Sequence, residues 1–358
     1  MDPRKKPLVI VVGSGGVGKT TLAAAMALRA AQAGDSTLVI TFDPSLRLKD
    51  ALGVGDEARD AETEVAAGGE GKLWASLLDA RRTFDRLIER YAPDEAARQR
   101  ILTNRFYDRL SGNLAGVLEY MASERLFEVA SSGNFSRIIL DTPPTRQALD
   151  FLGAPERIIS FLNSGALRIA LKPWFDAEGR LKVTSRLGFL GRNVEGFFDR
   201  MVGLELLRDM AEFFQAFAPL FEGFQERALE VQELLRSPDT LFVLVSGPGS
   251  GRVADTLFFA RRLTEAGYHL GPIVVNRVHP EVPPVRDTAR SGRRLLAWLG
   301  ERDNQGVAEL RDLVGDSHPV VEIPLMPDEP TDLESLTSLG ELFEAGLEEA
   351  LKAARESG

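Results

Sequence analysis

Cysteine is absent from this sequence, so disulfides, thiolate metal sites and cysteine nucleophiles are excluded by inventory alone. Histidine is nearly as scarce. His269, His279 and His318 are the only three, they lie far apart in the chain, and none shows metal-ligand spacing. No stretch reaches the ~18 apolar residues that a membrane span needs. The N-terminus, Met-Asp-Pro-Arg-Lys-Lys-Pro, is charged, and the apolar run after it is too short for a signal peptide. The expectation is a cytoplasmic protein without stable membrane insertion. Basic residues are in deficit, 43 Lys and Arg against 53 Asp and Glu, giving a formal charge of −10. Such a molecule repels phosphate backbones and anionic lipid at long range, which disfavours nucleic-acid binding. The local cluster of Arg290, Arg293 and Arg294 reads as a solvated helix face.

What the chain does have is apolar residues in short runs. At 358 residues and 44% hydrophobic composition it can bury one large core or two modest ones, since single cores stop growing near roughly 250–300 residues. β-Branched runs recur at Leu8 to Val12, Thr37 to Thr41, Leu73 to Leu78, Arg137 to Leu140, Leu241 to Val245, Pro272 to Val275 and Val320 to Ile323. Continuous rather than alternating apolar residues mark strands buried on both faces. Helical patterns lie between several of them, Lys19 to Ala33 ended by Gly34 and Arg252 to Ala266 ended by Gly267. Strand, helix, strand repetition implies a parallel sheet covered by helices on both sides. Strand signals vanish between about residues 151 and 236, which read as an inserted α-helical subdomain. Residues 1–150 and 237–358 then build the core, with a second helical stretch at 83–130 beside the fourth strand.

Gly13-Ser14-Gly15-Gly16-Val17-Gly18-Lys19-Thr20 fits G-x-x-x-x-G-K-[ST] between a predicted strand and a predicted helix. Glycines there let successive backbone N–H groups turn towards phosphate oxygens, and the helix N-terminus reinforces them. Lys19 would neutralise the β- and γ-phosphates, and Thr20 would offer its hydroxyl to Mg²⁺. The same residues satisfy the dinucleotide pattern G-x-G-x-x-G through Gly13, Gly15 and Gly18, with Asp43 where a ribose-binding acid would stand. Two features favour a nucleoside triphosphate over NAD. A dinucleotide fold has no need of the Lys19-Thr20 pair, and Asp141 closes the apolar strand at the place where a P-loop enzyme sets the acid for Mg²⁺. The fold class is therefore a three-layer α/β P-loop NTPase with a mostly parallel sheet and an inserted helical subdomain.

Beyond the loop the sequence resembles the ArsA-type ATPases, the anion-transporting ATPase family that also contains the ATPases targeting tail-anchored proteins, within the deviant P-loop class of MinD and ParA. The resemblance covers nearly the whole chain. It rests on Gly13 to Thr21 (GSGGVGKTT), Asp43-Pro44 within FDPSLRLKDALG, Asp141-Thr142-Pro143-Pro144-Thr145 followed by Leu149 and Phe151-Leu152, Asn276 in VVNRVHP, and Pro324-Leu325-Met326-Pro327. It implies an ATPase using ATP and Mg²⁺, with Asp43 orienting the attacking water and standing near the metal. It further implies that Asp141 contacts the Mg²⁺ shell, that Pro143 to Arg146 sense the γ-phosphate, and that Asn276 with the loop of Pro324, Leu325 and Met326 meets adenine. Positioning a water asks for no strong base, so a carboxylate suffices for the role given to Asp43. A plain loop cap before Pro44 is its bland alternative.

Three departures from the family follow. Ser14 stands where the deviant loop carries a lysine that reaches a partner's phosphates across a dimer. Arg47 or Arg146 would replace that cation, or both are solvated switch residues, or a related ATPase in a heterodimer supplies the lysine. Without cysteines, neither arsenite sensing nor a zinc-bridged dimer is available. The aromatic residues of the insert, Phe197, Phe198, Phe213, Phe214, Phe217, Phe221 and Phe224, match a core or dimer contact, with a groove for a client helix as the sharper alternative. Two functions stay open: an engine that closes as a homodimer or heterodimer to move an unnamed protein client, and a nucleotide-gated scaffold with little turnover. The C-terminal helix, Gly340 to Arg355, carries Glu341, Glu344, Glu348 and Glu349, which argues against a lipid-binding role.

Overall fold

Branched side chains pack well on a pleated surface and lose rotamer freedom in a helix, so the Val- and Ile-rich runs dictate strands. The computed structural model describes residues 2–42, 47–59, 61–108, 117–143, 145–163, 209, 212–213, 216–283 and 291–357. Its strands are β1 (Leu8–Gly13), β2 (Ser36–Thr41), β3 (Thr63–Val65), β4 (Lys72–Leu77), β5 (Arg137–Asp141), β6 (Thr240–Ser246), β7 (Leu270–Val278) and β8 (Val320–Pro324). All seven runs read from the sequence are strands. The eighth, β3, is a short strand that no apolar run announces, and it pairs antiparallel with β4. The sheet order is β3-β4-β2-β5-β1-β6-β7-β8, and every other pairing is parallel.

Successive residues along the central strands are buried, in agreement with the continuous apolar pattern. Val9, Val11, Val39, Ile139, Val243 and Val274 join one core cluster with residues of α1 (Lys19–Gln32) and with Leu336, Leu339, Phe343 and Leu347 of the C-terminal helix (Leu333–Ser357). Leu8, Ile10, Leu38, Ile40, Ile138, Phe242 and Ile273 are equally buried on the intervening positions. A sheet buried on both faces is the middle of three layers. Within α1 the residues Ala23, Ala24, Ala25 and Ala27 are fully buried, and these small side chains allow close approach to its neighbours. Arg29 of α1 closes the contact by pairing with Glu344 at 2.9 Å.

The remaining helices in chain order are α2 (Arg47–Leu52), α3 (Ala80–Tyr91), α4 (Glu95–Leu102), α5 (Val117–Ser132), α6 (Thr145–Asn163), α7 (Phe221–Arg236), α8 (Val253–Glu265), α9 (Ser291–Val314) and the C-terminal helix α10. Two compact units emerge, one of residues 1–78, 128–149 and 234–358, the other of residues 79–127 and 150–233. Assigning 83–130 to the core thus needs correction, because residues 83–127 belong to the second unit. The physical reason is their apolar face. Phe84, Leu87 and Ile88 of α3, Ile101 of α4, and Tyr120 and Met121 of α5 share a hydrophobic core with Phe213, Phe217 and Phe224. Ring centroids in that core lie 4.9 Å apart for Phe217 and Phe224 and 5.2 Å apart for Phe213 and Phe217, distances that suit aromatic pairs. These three phenylalanines are core residues. Phe197, Phe198, Phe214 and the side chain of Phe221 lie outside the described residues, as does much of the expected insert. No described helix is long and apolar enough to cross a membrane.

Candidate nucleotide site

In parallel α/β sheets, ligand crevices open outside the carboxyl ends of strands, at the point where neighbouring connections leave in opposite directions. β1 is central here, flanked by β5 and β6, neither of which is the next strand along the chain. Its carboxyl end leads into the glycine loop. Gly13 has φ 150° and is paired with Val245 of β6; a Cβ there would stand 2.0 Å from the Val245 carbonyl oxygen, so only glycine allows the chain to turn at this point. Gly15 and Gly16 are exposed at the loop tip, Ser14 is half-buried, and Val17 anchors the loop in the core. Gly18 is the N-cap of α1 with φ 89°, and having no side chain it offers no cap of its own to the first N–H groups of the helix.

Lys19 opens α1 and is only 7% exposed, its Nζ donating to the Ser14 carbonyl oxygen at 3.0 Å. Thr20 and Thr21 follow, both half-buried. Thr20 Oγ1 donates to Asp141 Oδ2 at 2.7 Å, and Thr41 Oγ1, from the end of β2, donates to the same oxygen at 2.8 Å. Asp141 ends β5 and is fully buried. Thr142 Oγ1 donates to the Val11 carbonyl at 2.8 Å, which locks the exit of β5 to β1. Parallel registers of Asp141 with Val11 on one side and Thr41 on the other bring three strand ends to one point.

β7 contributes from further away. Asn276, 6% exposed, donates from Nδ2 to the Val17 carbonyl at 2.9 Å, while its Oδ1 accepts from the Arg277 N–H at 3.0 Å. Arg277 has φ 63°, an uncommon value for a residue with a side chain, at a bulge between Asn276 and Val278. The chain beyond it is braced on α9. The His279 N–H donates to Asp303 Oδ2 at 3.2 Å, its Nδ1 lies 2.6 Å from that oxygen, and Arg302 Nη2 donates to Oδ1 at 2.8 Å. Burial pushes the Asp303 carboxyl up, but the bonds from Arg302 and His279 outweigh it and hold the group below the usual carboxylate range. Pro324 ends β8, the Leu325 N–H donates to the Val278 carbonyl at 2.8 Å, and Leu325 is 42% exposed. Met326 is half-buried against the sheet core.

Of the residues singled out in the sequence, Gly13 to Thr21, Asp141 and Asn276 come together. Asp43 and Pro44 lie outside the described residues. Arg47 opens α2 and Arg146 lies in the first turn of α6, but their side chains are outside the described ones. Sequence reading missed Thr41 and Arg252. Thr41 is a threonine within a strand pattern, and only the register with β5 turns its hydroxyl into an acid's partner. Arg252 Nη1 donates to Ser14 Oγ at 3.2 Å, and the glycine-rich turn before it, Gly247-Pro248-Gly249-Ser250-Gly251, was the available signal.

These residues fit a magnesium-bound triphosphate. A glycine turn with an uncapped helix N-terminus suits phosphate oxygens. A hydroxyl beside a buried carboxylate is a hard-oxygen pair suited to Mg²⁺, which keeps several waters and takes few protein ligands. If Asn276 acts chiefly by holding Val17, Asn276→Ala will weaken ATP and inorganic tripolyphosphate about equally, on the order of tenfold, as expected for a buried carbonyl left without its donor. Titration calorimetry with both ligands checks this. Weaker ATP binding with unchanged tripolyphosphate binding would assign Asn276 to the base alone.

A sequence profile described as anion-transporting ATPase matches residues 6–345. Similar proteins include ATPase GET3 of Malassezia globosa, 27% identical over 345 residues that cover 95% of this chain and 92% of the relative. ATPase get3 of Schizosaccharomyces japonicus is 26% identical over 341 residues, 94% of this chain and 91% of the relative. ATPase GET3A of Arabidopsis thaliana is 24% identical over 345 residues, 96% and 85% of the two chains.

Proposed function

The chain belongs to the anion-transporting ATPase family, and from that premise we propose that the residues around its phosphate loop couple ATP hydrolysis to the closure of a dimer. That it is an ATPase, and binds ATP, follows from the family. The finer reading is carried by one observation: Thr20 and Thr41 converge on the buried Asp141 beside the loop that holds Lys19.

In this reading Lys19 counters the β- and γ-phosphate charge, and the loop amides with Thr21 hold the α- and β-phosphates. Thr20 and Asp141 hold Mg²⁺, which when bound neutralises charge on the phosphoryl oxygens. Asp43 positions the attacking water, and Asn276 with Pro324, Leu325 and Met326 flanks the adenine. Residues 143–146 and 43–47 act as switches that order when the γ-phosphate is present and relax after hydrolysis. The helical unit responds as the partner- or client-binding part, in the cytosol. A homodimer, or a heterodimer with a related ATPase, serves this cycle equally. Ser14 in the place of the family's lysine favours a second reading, a nucleotide-gated scaffold with slow intrinsic turnover.

Light scattering with and without a non-hydrolysable ATP analogue and Mg²⁺, beside a phosphate-release assay, tests the proposal. The expected result is a dimer mass with the analogue and turnover that EDTA abolishes. A mass unchanged by the analogue overturns dimer closure of this chain with itself. Closure without turnover selects the scaffold.

A further inference from the structure

The loop that follows β6 is set beside the phosphate loop because β6 and β1 are parallel neighbours with Gly13 opposite Val245. Its path is tightly held. Gly249 has φ 94°, and Gly306 of α9 packs against it so closely that a Cβ on Gly306 would stand 2.5 Å from the Gly249 carbonyl carbon. The Arg252 N–H donates to the Gly249 carbonyl at 3.0 Å. Thr256 Oγ1 donates to the Arg252 carbonyl at 2.8 Å and lies 2.7 Å from Ser246 Oγ. The backbone of Arg252 is thus fixed at both its N–H and its carbonyl, while its side chain extends, exposed, to Ser14 Oγ at 3.2 Å. Ser14 then stands between two cations, with the Lys19 ammonium on its carbonyl and the Arg252 guanidinium on its hydroxyl. Among the described residues that guanidinium has a neutral hydroxyl as its partner rather than a carboxylate, so its charge is not cancelled, and a guanidinium has five N–H donors to offer.

We propose that Arg252 is the cation which this chain supplies, from its own β6–α8 loop, to the mouth of the phosphate loop at Ser14, and that it selects for the terminal phosphate of a nucleoside triphosphate. The inference rests on the reading of the loop as a triphosphate site. A planar guanidinium suits paired bonds to phosphate oxygens, and its place beside Ser14 puts it next to the lysine that counters the β- and γ-phosphates.

Affinities of the full chain for Mg·ATP and Mg·ADP test this, measured for the wild type, Arg252→Ala, Arg252→Gln, Arg252→Lys and Lys19→Ala. Arg252→Ala is expected to weaken ATP by about tenfold, the scale of a charge-assisted hydrogen bond, with a discount for solvent, and ADP by less than about twofold. Arg252→Gln keeps a donor for Ser14 without the charge and should lose as much as the alanine variant, whereas Arg252→Lys should recover most of the ATP preference. Equal losses for ATP and ADP in Arg252→Ala, or full affinity in Arg252→Gln, would reduce the residue to a tie between two loops and overturn the inference. In either case a Lys19→Ala variant that still loses ATP leaves the triphosphate site standing. Wild-type affinity in Lys19→Ala would instead remove the site itself, and the inference with it.

Discussion

Lys19→Ala will lower ATP turnover by about 100- to 1,000-fold, the cost of removing one preorganised donor from a site where charge develops. The nucleotide-free variant will stay folded. Its loop conformation is set chiefly by the glycines and by the pairing of β1 with β5 and β6, to which the ammonium adds its bond to the Ser14 carbonyl. The difference appears on adding nucleotide. ATP at a hundred times its dissociation constant stabilises a native protein by about 2.7 kcal/mol; the wild type should show that upward shift in thermal unfolding with Mg·ATP, and Lys19→Ala should show almost none at the same concentration. A variant with the wild-type shift and wild-type turnover would remove the phosphate loop from the chemistry.

Asp141→Asn separates charge from hydrogen bonding. The amide oxygen can accept from Thr20 and Thr41 as Oδ2 does at 2.7 and 2.8 Å, so the geometry of three strand ends survives. What disappears is the negative charge. The Mg²⁺ concentration for half-maximal turnover is expected to rise, and turnover to fall, each by about 10- to 100-fold, the usual cost of losing a group that orients a metal's ligands. Asp141→Ala is the harsher control, because it strips the buried Thr41 hydroxyl of its acceptor at about 1–3 kcal/mol, and the half-buried Thr20 hydroxyl of the same partner, and should lower the denaturant midpoint. A Mg²⁺ titration of Asp141→Asn that overlays the wild type would detach this acid from the metal and leave it a structural brace for two threonines.

How much of this was legible in the sequence depended on whether the signal was local. The seven apolar runs were legible because burial on both faces of a parallel strand demands continuous Val, Ile and Leu. The glycine loop was legible because its conformation is set by residues within one turn of chain. β3 was not, since Thr63–Val65 earns its place as an edge strand by pairing with β4 alone. The helices of residues 79–127 were legible as helices but not as part of the second unit, because which core a helix joins depends on what its apolar face meets, here Phe213, Phe217 and Phe224.

The sequence by itself determined the class of the fold, the phosphate loop and the family. Glycine, lysine and threonine at fixed spacing are a backbone requirement and a charge requirement, and both are written in consecutive residues. Only the tertiary structure decided which distant side chains serve that loop. Thr41 reaches Asp141 through the register of β2 on β5, Asn276 reaches Val17 from two strands away, and Arg252 reaches Ser14 across 238 positions of sequence. Those encounters follow from the order in which strands pair, and pairing order is a property of the packed sheet, not of any segment of the chain.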